Sequence, residues 1–129
     1  TVAAYQIGNG NIIQQLQGGD DNVALAGQLG NGNYIGQGQW GDDNNALHAQ
    51  AGNSNFALSL QTGDDNSTVG LQVGNGNILF QTQTGDDNSA TDTQLGNANQ
   101  AYITQSGNNH VHVGMQNGNS NIMTINQSN

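Results

Sequence analysis

Polar and apolar residues alternate in this chain within short segments of constant length. Gln recurs every 11 residues from Gln6 to Gln127, and each of these residues except the last opens a frame Q-x-G-x-x-N. His110 is the single residue that replaces Asn at the end of a frame. Five residues separate the end of each frame from the next Gln. Within these segments, every second residue is of a similar type, and a period of two is that of a β-strand. The pattern predicts 12 strands, at residues 1–6, 11–17, 22–28 and so on to 121–127.

A second period is superimposed on the first. The two residues after the frame's Gly are Asp-Asp at 20–21, 42–43, 64–65 and 86–87, whereas the frames between them have Asn-Gly, Asn-Ser or Asn-Ala. The repeat unit is therefore 22 residues long, and periods of this size indicate solenoids. Gly, Asn and Asp in the G-x-x step are residues that reverse a chain. We expect an all-β fold, a two-sheet parallel β-solenoid (β-arcade) of about 6 two-strand rungs, as a single domain over residues 1–129.

Strand parity predicts which side chains point inward. The Asn, the second and fourth residues after it, and the Gln share one face of each strand. On that face one set of alternate segments has the larger residues, namely Ile13, Gln15, Ile35, Gln37, Leu79, Gln81, Ile103, Met123 and Ile125. The other set has small residues at the same positions, namely Ala24, Ala26, Ala46, Thr68, Gly70, Ala90 and Gly114. Large residues opposite small ones suit a thin core between two close sheets.

The opposite parity would bury bulkier residues, including Phe56, Leu58 and Phe80. The first column of that face changes freely along the chain, however, from Tyr34 to Asn45, while the Gln and Asn columns barely change. Because close-packed interiors tolerate little change in volume or polarity, we expect the Gln and Asn face to lie inside. Identical amides stacked about 4.8 Å apart can form hydrogen-bonded ladders. The predicted ladder residues are Gln6, Gln17, Gln28, Gln39, Gln50, Gln61, Gln72, Gln83, Gln94, Gln105, Gln116 and Gln127, with Asn11, Asn22, Asn33, Asn44, Asn55, Asn66, Asn77, Asn88, Asn99 and Asn121.

Composition narrows the functional classes. The chain has no Lys, Arg, Cys or Pro and a formal charge of −9. Such a composition is typical of disordered segments, but disorder gives no reason to keep a register through 12 copies. The absence of basic side chains argues against nucleic-acid partners and against attraction to anionic lipid. No apolar run approaches the roughly 20 residues of a membrane helix, so we expect no membrane insertion.

The motif Q-x-G-x-x-N-x5-Q resembles the half-repeat of curlins, the major subunits of bacterial curli. A small residue two places after the Asn also recurs, at Ala24, Ala46, Ala57, Ala90 and Ala101. The resemblance covers the whole chain. It implies a β-solenoid subunit of an extracellular functional amyloid fibre that serves biofilm matrix and adhesion. It also implies export through an outer-membrane pore and a nucleating partner.

Four side chains are candidates for catalysis or metal binding: His48, Asp92, His110 and His112. By parity His48 and Asp92 share an inward column two rungs apart, about 9.6 Å, which is too far for direct contact. Asp92 and His112 lie on adjacent rungs, so we expect a hydrogen bond or ion pair between them. No set of nucleophile, base and orienting residue recurs, and the sequence therefore predicts a protein that is not an enzyme.

The acidic turns are a candidate calcium site. Eight carboxylates line one edge of the predicted solenoid, at Asp20, Asp21, Asp42, Asp43, Asp64, Asp65, Asp86 and Asp87. Ca²⁺ accepts six to eight oxygen ligands in irregular geometry, so we expect assembly to depend on divalent cations or on low pH, although no cofactor is required. An acidic edge that is only solvated remains the alternative.

Two functional classes follow from these patterns. In the first, copies of the chain stack head to tail into a fibre, and apolar outward residues join fibres sideways. In the second, a monomeric solenoid or adhesin segment displays a flat array that binds calcium or ice. The Thr residues do not align over successive rungs as an ice-binding face requires, and Gly18-Gly19-Asp20 is an isolated fragment of a calcium-binding nonapeptide.

Overall fold

Twelve β-strands and the turns between them make up the whole of the computed structural model, which describes residues 1–129. In chain order the strands are β1 Val2–Ile7, β2 Ile12–Gly18, β3 Val23–Asn31, β4 Tyr34–Trp40, β5 Asn45–Asn53, β6 Phe56–Thr62, β7 Ser67–Asn75, β8 Ile78–Thr84, β9 Ser89–Leu95, β10 Gln100–Ser106, β11 Val111–Asn117 and β12 Ile122–Ser128. None of these elements is a helix that could cross a membrane. The all-β prediction is confirmed.

The strand boundaries differ from the predicted segments by one to three residues. Each strand starts after the Asn of the frame, because that Asn closes the turn, as where Asn22 Nδ2 donates to Gly18 O at 3.4 Å. Each strand also continues past the Gln. β3, β5 and β7 extend to Asn31, Asn53 and Asn75 because the turn backbone bonds along the stack too, as from Gly32 N–H to Asn9 O at 2.9 Å.

The strands form two parallel six-stranded sheets. One sheet has the order β1-β3-β5-β7-β9-β11, and the other has the order β2-β4-β6-β8-β10-β12. We call them the small-residue sheet and the large-residue sheet. Every pairing joins residues that are 22 apart, such as Gln28 with Gln50 and Gln39 with Gln61. Consecutive strands therefore alternate between the sheets, and each pair of strands forms one rung, numbered 1 to 6 along the chain.

The core lies between the sheets and is thin. Ala24, Ala46 and Ala90 of the small-residue sheet are fully buried, and they face a large-residue sheet in which Leu79 is fully buried and Ile103 nearly so. The Gln and Asn columns of the inner rungs are buried with them. The predicted parity is confirmed, because the side chains of the alternative face, including Phe56 and Phe80, remain partly exposed.

Two kinds of turn form the edges of the solenoid. The asparagine edge consists of the turns at 9–10, 31–32, 53–54, 75–76, 97–98 and 119–120, and the aspartate edge consists of those at 20–21, 42–43, 64–65, 86–87 and 108–109. Both use the same backbone. At Gly63 φ is +112°, and a Cβ there would lie 2.2 Å from the carbonyl oxygen of Gly85 on the next rung. Only Gly allows rungs to stack this closely.

Candidate functional site

Two Gln ladders run through the length of the core. In each sheet the Nε2 of every Gln donates to the Oε1 of the Gln on the next rung, at 2.6–3.1 Å. In all but Gln6 the second amide hydrogen donates to a backbone carbonyl, usually across the core, as from Gln28 to Ile12 O at 3.0 Å. No buried side-chain nitrogen or oxygen lacks a partner, which removes the usual desolvation penalty of buried amides.

The Asn columns connect the turns. Asn33 is typical, because its backbone N–H donates to Asn11 Oδ1 at 3.0 Å and its Nδ2 donates to Gly52 O at 2.8 Å. Each Asn of the inner rungs therefore binds both the rung below and the rung above. His110 takes the Asn position of the last aspartate-edge turn, where its N–H still donates to Asn88 Oδ1 at 3.1 Å. Its ring Nε2 lies 3.1 Å from Ser106 O instead of reaching another rung.

The ladders make the two ends of the solenoid chemically different. Every ladder Nε2 points toward higher rungs, so rung 6 presents the amide donors of Gln116 and Gln127. Rung 1 presents the acceptor oxygens of Gln6 and Gln17. The end strands β1, β2, β11 and β12 each pair on one side only within residues 1–129. One end is thus complementary to the other and not to itself.

A second polar chain crosses the core with one residue in each rung. Its members are Gln15, Gln37, His48, Gln81, Asp92 and His112. Gln15 donates to Gln37 Oε1 at 2.7 Å, and Gln37 Nε2 lies 3.4 Å from His48 Nδ1. His48 Nε2 then donates to Gln81 Oε1 at 2.9 Å. The chain passes from one sheet to the other three times, between Gln37 and His48, between His48 and Gln81, and between Gln81 and Asp92.

The upper part of this chain ends on a carboxylate that accepts from both sides. Gln81 Nε2 donates to Asp92 Oδ2 at 2.9 Å, and His112 Nε2 donates to Asp92 Oδ1 at 2.9 Å. The predicted contact between Asp92 and His112 is confirmed. His48 and Asp92 do not touch, as predicted, but Gln81 bridges them, and that bridge was not predicted. The sequence signal for it was the large polar residue at Gln81, opposite a column that is otherwise small.

Burial sets the ionisation of this chain. Removal from water lowers the pKa of His48 to about 4, although the hydrogen bond to Gln81 opposes the shift, so His48 is neutral at pH 7. Burial also raises the pKa of Asp92, and the hydrogen bonds from Gln81 and His112 oppose that effect. Each of the three titratable side chains in this polar chain therefore has a hydrogen-bond partner within the core.

The aspartate edge is a stacked column of carboxylates. Asp42 Oδ1 accepts the backbone N–H of Asp20 at 2.8 Å, and Asp64 Oδ1 accepts that of Asp42 at 2.8 Å. The pKa of Asp65 is raised by desolvation and then by the neighbouring charges of Asp43, Asp87, Asp64 and Asp86. No three His, Asp or Glu side chains converge as a metal-binding group. Calcium binding at this edge therefore stays a prediction.

The outer face of the large-residue sheet has an aromatic ladder. Tyr34 and Phe56 stack with centroids 4.9 Å apart, Phe56 and Phe80 lie at 5.2 Å, and Phe80 and Tyr102 lie at 5.6 Å. The sequence pattern placed Phe56 and Phe80 on the outward face but did not predict the ladder, because its members belong to two adjacent columns. Next to it, Gly36 and Gly38 form the floor of a shallow slot between Tyr34 and Trp40.

The sequence comparisons agree with the repeat. Residues 85–111 match the family model of the curlin associated repeat. The matched segment contains the end of the frame that opens at Gln83 and the complete frames that open at Gln94 and Gln105, and the same frame recurs outside it. The resemblance to the curlin repeat family is confirmed. No curated protein sequence matches the chain significantly.

Proposed function

We propose, from the curlin associated repeat at residues 85–111, that the chain is a structural subunit of an extracellular curli-like fibre. In this fibre, copies stack head to tail so that β1 of one copy pairs with β11 of the previous copy and β2 pairs with β12. The fibre would serve a biofilm matrix and adhesion. Export through an outer-membrane pore and a separate nucleator belong to the same proposal.

The complementarity of the two ends is the observation that most supports this proposal. The donors of Gln116 and Gln127 on rung 6 match the acceptors of Gln6 and Gln17 on rung 1. A head-to-head contact would place donor against donor. Because both sheets keep the 22-residue register, a second copy continues both sheets at once. Six rungs spaced about 4.8 Å apart predict a subunit rise of about 29 Å.

A proline in the upper edge strand tests this geometry. Val23 N–H bonds to the rung above, whereas Ala24 N–H bonds to the rung below. By the same alternation the N–H of Val113 points toward the open end of rung 6. Val113→Pro removes that donor from an edge strand, where Pro is tolerated. The variant should fold, add to the upper end of a wild-type fibre and then stop its growth.

The experiment is seeded growth of wild-type fibres with the variant present at substoichiometric amounts, followed by electron microscopy of fibre length. Val113→Ala keeps the N–H and is the matched control, which should leave growth unchanged. We expect short fibres with Val113→Pro and parallel rungs with a repeat of about 29 Å in wild-type fibres. A wild-type chain that stays monomeric at high concentration contradicts the proposal. That result would favour the monomeric calcium-binding or ice-binding solenoid.

A further inference from the structure

The upper end of the solenoid contains an ionisable pair that the fibre would cover. Asp92 of rung 5 is 1% exposed and His112 of rung 6 is 8% exposed, and both lie on the inner face of the small-residue sheet. Gly114 leaves room for the imidazole, since a Cβ there would lie 2.7 Å from His112 Nε2 and 2.4 Å from Asp92 Oδ1. The pair is the only Asp–His contact in the chain.

The lower end of the solenoid matches this position. Val2 occupies the column of His112, and Ala4 occupies the column of Gly114, because both columns repeat every 22 residues. Val2 points toward the core side, yet it is 55% exposed. Gln15 lies at the lower end of the buried polar chain. Its Nε2 lies within hydrogen-bond distance of three acceptor oxygens of the same subunit, while its Oε1 accepts no hydrogen bond. A second copy stacked in register would place Val2 over His112 and would bring the free Gln15 oxygen to the same junction.

We propose that Asp92 and His112 form a proton-linked joint for a second copy of this chain, in which the first rung of the next copy closes over the pair and retains one proton on it. The proposal rests on the proposed fibre function. The pair has no net charge when it holds one proton, whether as carboxylate and imidazolium or as two neutral groups. It has a charge of −1 when it holds none, and covering that state with Val2 removes it from water at a large cost.

The other ionisable groups do not replace the pair. On the inner face, the only additional titratable side chain is His48, which lies on rung 3 and is fully buried in the free subunit. The strands packed against Asp92 and His112, namely β7, β8, β10 and β12, present no charged side chain to the core. At the aspartate edge, His110 also lies near the junction, and the test must separate it from the pair.

Linkage gives the expected pH dependence. If joining a subunit takes up one proton, the concentration of free subunit in equilibrium with fibres rises with pH, at most tenfold per pH unit. We expect this increase in the free subunit concentration between about pH 6 and pH 8, where imidazoles change charge.

The test measures the free subunit concentration at equilibrium with fibres from pH 5.5 to 8.5. The comparison protein is the double variant Asp92→Ala/His112→Ala. Both columns already contain Ala on another rung, at Ala26 in the column of Asp92 and at Ala90 in the column of His112. We expect a slope of several-fold per pH unit in the wild type and a slope near zero in the double variant. His110→Asn restores the Asn of the frame and should keep the wild-type slope, because His110 is not part of the pair.

Each outcome decides a separate point. Wild-type fibres with no slope between pH 6 and pH 8 overturn the joint and leave the fibre function intact, whereas no fibres at any pH overturn both. A slope that survives in the double variant comes from groups outside the pair and also overturns the joint. Proton uptake during wild-type elongation, read from the pH of a weakly buffered solution, gives the same answer if the double variant does not fold. Uptake near zero at pH 7 then contradicts the proposal.

Discussion

The two edges of the solenoid share one backbone and differ in the side chains of their turns. At the asparagine edge, Asn53 N–H and Asn53 Nδ2 both donate to Asn75 Oδ1, each at 3.0 Å. At the aspartate edge, Asp42 N–H donates to Asp64 Oδ1 at 2.8 Å, and the carboxylate of Asp42 has no side-chain donor to match the Asn53 amide. The asparagine edge therefore stacks through a neutral ladder, while the aspartate edge stacks against the repulsion of its own charges.

The comparison shows that the charged turns are confined to one edge of the solenoid. Charges about 4.8 Å apart repel by roughly 0.9 kcal/mol even at the dielectric of water. Because every charged turn lies on one edge, the other edge stacks without charge repulsion. The backbone bonds from N–H to Oδ1 are kept at both edges, so the repulsion does not open the aspartate edge.

The largest expected effect tests what the edges have in common. Gly63→Ala at the aspartate edge and Gly52→Ala at the asparagine edge should each destabilise the fold by about 3 kcal/mol or more. The new Cβ would lie 2.2 Å and 1.9 Å from a backbone oxygen of the next rung, at positive φ in both cases. Chemical denaturation of the two variants measures the loss.

Gly76→Ala is the control for this pair. Gly76 also has a positive φ, of 65°, but nothing lies within 4 Å of its added Cβ, and Ala98 occupies the same turn position with φ 55°. We expect a loss of only about 1 kcal/mol from the left-handed backbone. If all three variants lose the same free energy of unfolding, Gly is required only for its positive φ, and the close approach of the rungs plays no part.

A smaller effect should follow from converting the asparagine edge into an acidic one. Asn31→Asp/Asn53→Asp/Asn75→Asp removes three amide donors that bridge rungs at 3.0–3.1 Å and adds a column of charges. At pH 7 we expect a loss of about 1–3 kcal/mol in the free energy of unfolding. At pH 3 the loss should shrink, because protonated carboxyl groups neither repel nor lack a donor. A loss that is the same at both pH values would contradict the role given to charge.

The smallest effect should come from neutralising the aspartate edge with Asp43→Asn/Asp65→Asn/Asp87→Asn. Desolvation and the neighbouring carboxylates raise the pKa of Asp65 in the folded state. Asp65 therefore stabilises the fold at pH values below the pKa of its unfolded state, and this contribution is lost as the pH rises through the pKa of the folded state. The variant should therefore melt at a higher temperature than the wild type at pH 7 and at the same temperature near pH 3. His48 responds to acid in both proteins alike and cancels in the difference.

The same melting measurement, repeated with calcium, tests whether the aspartate edge binds the ion. If the aspartate edge binds Ca²⁺, millimolar Ca²⁺ should raise the melting temperature and assembly rate of the wild type at pH 7 and low ionic strength, compared with chelator. The variant Asp43→Asn/Asp65→Asn/Asp87→Asn lacks three of the eight carboxylates and should respond less than the wild type. Magnesium at the same ionic strength controls for screening. An equal result with chelator and with Ca²⁺ identifies the edge as solvated only.

Much of the architecture was readable from residue spacing. The 11- and 22-residue periods predicted the strands and the rungs, and constancy of the Gln and Asn columns predicted which face is inside. These predictions succeeded because a stacked repeat places each residue over its own copy, so a column in the sequence is a column in space. The strand ends were less accurate, since backbone bonds continue through the first turn residues.

The contacts that break the repeat needed the tertiary structure. Parity placed His48, Asp92 and His112 on the inner face, but it did not show that Gln81 joins two of them across the sheets. The aromatic ladder from Tyr34 to Tyr102 likewise crosses between columns. Sequence periodicity determines which residues share a column, because backbone register is common to all rungs. Side-chain reach and rotamer determine contacts between columns, and only the packed sheets decide them.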